Sequence, residues 1–296
     1  MKIKGMDRFH EHLPDYPGKK IRFFARLSAI SAFLSIFFML VMDGIFRIFL
    51  SGYLLVILSP FGPILGVLMI EFTGYLLVYL FWKKKDNLLK KLSNKAYQKA
   101  LILALIGIPC VLTVMIHTYF PTDLIIPISS VDFVTSYLSR SITEIFIGVS
   151  FLDISIRSTI GLLLLIVGVT TIFRTLNTFG IDYMALVYVY HPEESEVQDH
   201  KIYSMIRHPT YSAIFIVGLG GVFFRFSLYS IIFYLMLICG MMIHIRLVEE
   251  KELINRFGDS YREYQKQVPA ILIKPKDLGR VIKFLIGKQN TEKSLD

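Results

Sequence analysis

The chain has only two cysteines, Cys110 and Cys239, both inside apolar runs and far apart in sequence. Two such thiols give no sign of a disulfide framework or a thiolate metal site. Charge is scarce as well: Asp, Glu, Lys and Arg make up 19% of the residues, whereas 54% are hydrophobic. No cleavable leader is evident, because the first twenty residues are polar and include Asp7, His10, Glu11, His12 and Asp15. The first apolar helix is therefore expected to act as its own insertion signal. No internal repeat is visible. No nucleic-acid-binding motif accompanies the net charge of +9, so nucleic acid is not an expected partner.

What the chain has is long apolar runs rich in Phe and Tyr, and a mean hydropathy of +0.57. A soluble domain of this length would not carry them. The expected fold class is all-α: a polytopic helical membrane protein with about six transmembrane helices. The first span is expected near residues 24–49, with Asp43 and Arg47 one turn apart and able to pair. The second, near 53–82, is interrupted by Ser59-Pro60-Phe61-Gly62-Pro63 and is read as kinked or broken at its start. Residues 83–99 read as a basic amphipathic helix on the membrane surface, with Leu88, Leu89 and Leu92 at helical spacing. The third span falls near 100–120. The apolar piece 142–152 is too short to span comfortably and is read as interfacial, followed by Asp153 and Arg157. The fourth span falls near 158–179, and the fifth and sixth form a hairpin over 211–224 and 226–245. Four regions result: an N-terminal segment (1–23), an added transmembrane pair with its basic loop (24–99), a membrane core (100–275) and a polar tail (276–296).

Lys and Arg decide the expected orientation. Lys19, Lys20, Arg22 and Arg26 precede the first span, seven lysines lie from Lys83 to Lys99, and eleven basic residues lie from Arg246 to Lys293. The opposite loops offer chiefly Arg140, Arg157 and Arg225. With six spans, both termini and the C-terminal motifs are expected on the cytoplasmic side. The positive balance then reflects topology and attraction to anionic headgroups.

Two polar clusters bracket the last hairpin. In the first, Arg207-His208-Pro209-Thr210-Tyr211, the residue before proline is pushed out of the helical region and Pro209 suits the first helical position. Free N–H groups at that helix start, with Arg207 beside them, suit a carboxylate or phosphate. The bland reading makes Arg207 a snorkelling side chain and Tyr211 part of an aromatic belt. In the second cluster, Arg246 and Glu250 are four apart and share a helical face. Gly258 is a suitable helix stop, Ser260 and Glu263 fit a capping box, and Tyr261, Tyr264 and Val268 share a face before Pro269. The bland reading is a surface ion pair worth well under about 1 kcal/mol.

The order Arg-His-Pro-x-Tyr, apolar hairpin, Arg-x-x-x-Glu, Phe-Gly, Tyr, Tyr, Val-Pro resembles the isoprenylcysteine carboxyl methyltransferase family and the related phospholipid methyltransferases, over about Thr175 to Pro275. The resemblance implies a pocket for S-adenosylmethionine facing the cytoplasm, with a lipophilic or lipidated substrate entering from the bilayer. It implies Tyr203, Arg207, His208, Pro209, Tyr211, Glu249 and Tyr261 at the cofactor, with Arg246 and Glu250 as catalytic residues that order the reacting end. Two departures stand out. Ala213 occupies a position where the family often has Gly, and Tyr203 is kept in the stretch before Arg207 although a Gly of the family pattern is absent. The first two spans have no counterpart in it.

Methyl transfer from a sulfonium needs an in-line nucleophile and exclusion of water more than covalent help. Tyr203 or Tyr211 can face the sulfonium charge. A carboxylate nucleophile would use Arg246 as a clamp, whereas an amine would give its proton to Glu250 or His208. Two other classes stay open: an NADPH-dependent reductase of sterol-like lipids, similar in its C-terminal ending, and a non-enzymatic transporter, for which Asp43, Arg47, Glu71 and His117 are the intramembrane candidates. Glu71 otherwise reads as a hydrogen-bonded packing residue. His191 and His200 flank the acidic run Glu193-Glu194-Ser195-Glu196. That run is read as a solvated loop and a candidate lid, with a metal site as the alternative.

Overall fold

The computed structural model describes residues 3–288; positions 289–296 of the expected polar tail lie outside the described residues. Helix dominates, and among the described residues there are no named strands, only an isolated bridge between Ser141 and Ser227. Five helices are long and apolar enough to cross a membrane: Gly18–Met42, Phe61–Lys83, Lys85–His117, Phe151–Phe179 and Leu228–Phe257. A sixth apolar helix, Pro209–Arg225, has 17 residues, which at 1.5 Å per residue gives about 26 Å, at the short limit for a span. Numbered in chain order, Pro209–Arg225 is the fifth span and Leu228–Phe257 the sixth. The fold class is as expected: all-α and polytopic.

Several local expectations need correction. The first span ends at Met42, and Ile45–Phe49 is a separate short helix. Asp43 and Arg47 do not pair with each other. Asp43 Oδ1 lies 3.2 Å from His117 Nε2, while Arg47 donates to the carbonyls of Thr122 (2.9 Å) and Ile126 (2.7 Å) and lies 3.9 Å from Asp132. Glycine 44, packed on Ile126, breaks the helix between the two and turns their side chains to different neighbours. The apolar piece 142–152 is not one unit. Ile142–Ile147 is a short helix stopped by Gly148 at a positive φ of 88°, and the fourth span already begins at Phe151. Asp153 and Arg157 therefore sit inside that span as an i,i+4 pair at 2.9 Å, with Arg157 also donating to the Phe224 carbonyl at 3.0 Å. The break at Ser59-Pro60 is as expected: Gly52–Leu58 precedes it and the second span starts at Phe61.

Close helix packing rests on glycine. The fourth and fifth spans run side by side, where a Cβ on Gly161 would meet the Gly220 carbonyl at 2.8 Å and one on Gly168 would meet Val217 at 2.4 Å. Small residues allow such approach where lipid gives no hydrophobic drive for association. Gly74 and Gly107 do the same between the second and third spans. The main core joins the second, third, fifth and sixth spans through Val67, Val114, Val217, Phe233 and Leu237. A second core gathers at one end. There Phe9 and Leu13 of the N-terminal segment pack with Phe81, Tyr97 and Tyr190, and Leu88 and Leu89 of the basic helix Lys85–Leu92 cover them. Because the spans alternate, this end also carries residues 180–208 and the C-terminal helices.

Candidate functional site

The site is built where the fifth span begins. His208, at the N-cap, is held out of the helical region and Pro209 takes the first helical position, as the X-Pro rule favours. The preceding strand of chain is stitched to residues 269–271: Arg207 N and His208 N donate to the carbonyls of Pro269 and Ala270, both at 2.9 Å, and Ser212 Oγ donates to Ile271 O at 2.6 Å. The first helical N–H with a partner in that helix is that of Ser212, bonded to His208 O at 3.0 Å. The N–H groups of Thr210 and Tyr211 precede that bond and stay available at the positive end of the helix.

Arg207 is the structural tie. Its Nε and Nη2 both donate to Glu250 Oε1, at 2.9 and 2.5 Å, and its Nη1 donates to the Gln265 and Val268 carbonyls. His208 lies between two acids, with Nε2 3.3 Å from Glu250 Oε1 and Nδ1 3.5 Å from Glu249 Oε2. Tyr211 donates its hydroxyl to Glu249, and His244 Nε2 stands 3.5 Å from the same carboxylate. Glu249 is thus surrounded by two imidazoles and a phenol. A turn of π-helix over Ile245–Glu249 delivers it there. Such turns shift the helical face by a residue and recur at functional sites.

Apart from Glu250, these groups line a partly enclosed cavity of about 400 Å³, within the range of small-molecule sites. Tyr203, Arg207, His208, Pro209, Tyr211, Glu249 and Tyr261 all line it. Buried donors on its wall lack a hydrogen-bond partner, among them Trp82 Nε1 and the hydroxyls of Tyr75 and Tyr261; orphaned buried donors of this kind point to a missing ligand or water. Burial, and after it the Glu249 charge, holds the Tyr203 phenol above its usual range, and burial does the same to Tyr261 and Tyr264. All three remain donors at neutral pH. Tyr264 uses its proton on the Tyr203 carbonyl at 2.6 Å.

The two expected catalytic residues stand differently. Arg246 and Glu250 do share a face, but it belongs to a second, open groove of about 1250 Å³ between the second and sixth spans. Arg246 is exposed there, and Glu250 pairs with Arg207 instead of Arg246. The capping box at Ser260 is absent: the helix Asp259–Gln267 follows Gly258 directly, and Ser260 Oγ donates to the Phe257 carbonyl. Tyr261, Tyr264 and Val268 do form one buried cluster.

Ser195 and Glu196 of the expected lid, with Val197 and Gln198 after them, line the cavity, held by Gln198 donating to Tyr183 (2.8 Å) and Arg256 donating to Ser195 (3.2 Å). His200 turns away to Phe179, while His191 stacks on His12 at 3.8 Å, with Glu194 3.3 Å from His12. Burial, and next the neighbouring His12, pushes the His191 pKa down. Sequence reasoning missed Tyr75, Trp82, Tyr183, His244 and Arg256. Tyr75 and His244 line both the cavity and the groove, with ring centroids 5.7 Å apart. Tyr75 could have been found from Glu71, because the two are one helical turn apart inside an apolar run.

Residues 156–260 match the phospholipid methyltransferase family model. Over 69 residues the chain is 33% identical to a protein-S-isoprenylcysteine O-methyltransferase of Schizosaccharomyces pombe (strain 972 / ATCC 24843), an alignment covering 23% of this chain and 29% of that relative's length. No solved structure matches the chain. Both comparisons support the family resemblance carried by the Arg207–Tyr211 and Arg246–Glu250 motifs.

Proposed function

We propose that the chain is an integral membrane methyltransferase that takes its methyl group from S-adenosylmethionine and gives it to a lipid-borne acceptor. One observation carries this reading. A partly enclosed cavity, lined by Arg207, His208 and Glu249, and a more open groove, lined by Leu68, Phe72, Leu76 and Ile243 along the spans, meet at a shared wall, Tyr75 and His244, beside the family-matched Glu249. A water-soluble donor and a lipid acceptor need two such chambers with a common partition.

The donor's groups have fitting counterparts in the cavity. The free N–H groups of Thr210 and Tyr211 suit its carboxylate. The faces of Tyr203, Tyr211 and Tyr261 suit a sulfonium, and Glu249 suits an ammonium. When bound, this cofactor supplies an activated methyl group. The protein's own task is then to hold the nucleophile in line and exclude water. His208 and Arg207 fix Glu249 and Glu250, and residues 195–198 act as a cover. Arg246, at the groove, is the proposed contact for the acceptor side.

Positive residues support a cytoplasmic position for this end of the molecule, since the N-terminal segment, the Lys83–Lys99 stretch and the C-terminal helices gather there. Both termini would then be cytoplasmic, and membrane lipids are the expected surroundings. Incubating membranes that contain the protein with methyl-labelled S-adenosylmethionine, then extracting lipid, tests the reading. Label in the lipid extract that depends on Glu249 is expected. Label nowhere, together with oxidation of NADPH on adding sterol-like lipid, would replace it with the reductase.

A further inference from the structure

The groove between the second and sixth spans carries Arg246, Glu250, Lys251, Asn255 and Gln265 near the end of the sixth span and beyond it, and is mostly apolar elsewhere. Leu68, Phe72, Leu76 and Ile243 present exposed side chains along it, as befits a wall that meets hydrocarbon chains. Among them Glu71 is 5% exposed, and its Oε1 has no hydrogen-bond partner. One turn on, the Tyr75 hydroxyl is also buried without one. Gly240 of the sixth span makes room for both. A Cβ there would meet Glu71 Oε1 at 2.3 Å and the Tyr75 ring at 2.4 Å.

An unpaired carboxylate at membrane depth is costly to keep and marks a functional position by default. The other buried acids of the spans and their loops are answered within the chain: Asp43 by His117 and Asp132 by Arg47. Arg246 does not answer Glu71, because it lies six residues beyond Gly240, roughly 9 Å further along the helix, and is exposed at the groove mouth. Tyr75 belongs to the wall shared with the Glu249 cavity, so a group held by Glu71 and Tyr75 sits next to the partition.

We propose that Glu71 and Tyr75 form the recognition site for the polar head of the lipid acceptor, and that this head carries N–H donors, an amine and not a carboxylate. The assignment rests on the methyltransferase reading and narrows its substrate class. An ammonium beside Glu71 gains a charge-assisted hydrogen bond in a dry site, whereas a carboxylate would face a like charge. For transfer, the ammonium first gives a proton to the Glu71 carboxylate. The freed lone pair then forms the new N–C bond while the C–S bond of the sulfonium donor breaks, its electron pair staying on sulfur.

The test uses the full chain in detergent and three probes of equal length: dodecylamine, dodecyltrimethylammonium and dodecanoate. Calorimetric titration of the wild type is expected to give amine binding at least about 10-fold tighter than either other probe, since only the amine pairs charge with N–H donation. Glu71→Gln, which removes the charge, and Gly240→Ala, which keeps it but displaces it, should shrink that preference to under about 3-fold. Both should still bind S-adenosylmethionine, which shows that the fold is intact. Equal binding of amine and trimethylammonium, tighter binding of dodecanoate, or an undiminished preference in Glu71→Gln overturns the proposal. If the wild type fails to bind S-adenosylmethionine, the methyltransferase reading falls, and the probe series still decides what Glu71 recognises.

Discussion

The two ends of the molecule each bury a cluster of acids, imidazoles and arginine, and they do opposite things with it. At one end Asp43 faces His117, and Arg47 reaches Asp132 and two backbone carbonyls. Asp132 also accepts from Ser59 and caps the helix Phe133–Ser139 through Thr135 N. These charges tie loop to span, and Arg47 and Asp132 have side chains 3% and 0% exposed. At the other end Arg207, His208, His244, Glu249 and Glu250 pair as densely, yet all of them but Glu250 line a cavity of about 400 Å³. The residue types are alike. The space they enclose separates a tie from a site.

That contrast can be broken most forcefully at Asp132. Asp132→Ala strands a buried guanidinium and should cost about 3–5 kcal/mol of stability, read as a drop in the thermal midpoint in detergent. The protein that remains folded should bind S-adenosylmethionine as before. Glu249→Ala is expected to behave in reverse: cofactor affinity falls about 30- to 100-fold, roughly 2–3 kcal/mol, measured by equilibrium binding on folded protein. Gly220→Ala probes the scaffold between the two ends. Its methyl would lie 2.5 Å from the Tyr119 hydroxyl and 2.8 Å from the Gly161 carbonyl, so overpacking of about 1–3 kcal/mol is expected, visible in the same melt. Tyr264→Phe should have the smallest effect, about 1 kcal/mol for its one hydrogen bond to the Tyr203 carbonyl. Cofactor affinity would weaken modestly through Tyr203, a shift that titration against wild type can resolve.

Much of the fifth-span site is legible in sequence because it depends on local rules. Pro209 fixes where the helix starts, and Val268-Pro269 ends the element that Arg207 is stitched to. The face of the sixth span is less legible. The π-turn over Ile245–Glu249 sends Glu249 into the cavity while Arg246 stays on the groove, and α-helical spacing alone does not show this turn. Asp43 and Arg47 mislead for a similar reason, since Gly44 ends the helix between them and long-range partners take over. The start of the fourth span at Phe151 is hidden by Asp153 and Arg157, which look like an interface until they are seen to pair with each other and with the end of the fifth span. Tyr75, Trp82 and His244 belong to elements that only the tertiary fold brings together.

The most direct single measurement is binding of S-adenosylmethionine to purified wild type, Glu249→Ala and Asp132→Ala. Binding by wild type and by folded Asp132→Ala, with loss in Glu249→Ala, is the result predicted for a cavity that serves as the donor site. Wild-type protein that ignores S-adenosylmethionine, or Glu249→Ala that binds it unchanged, would contradict that assignment.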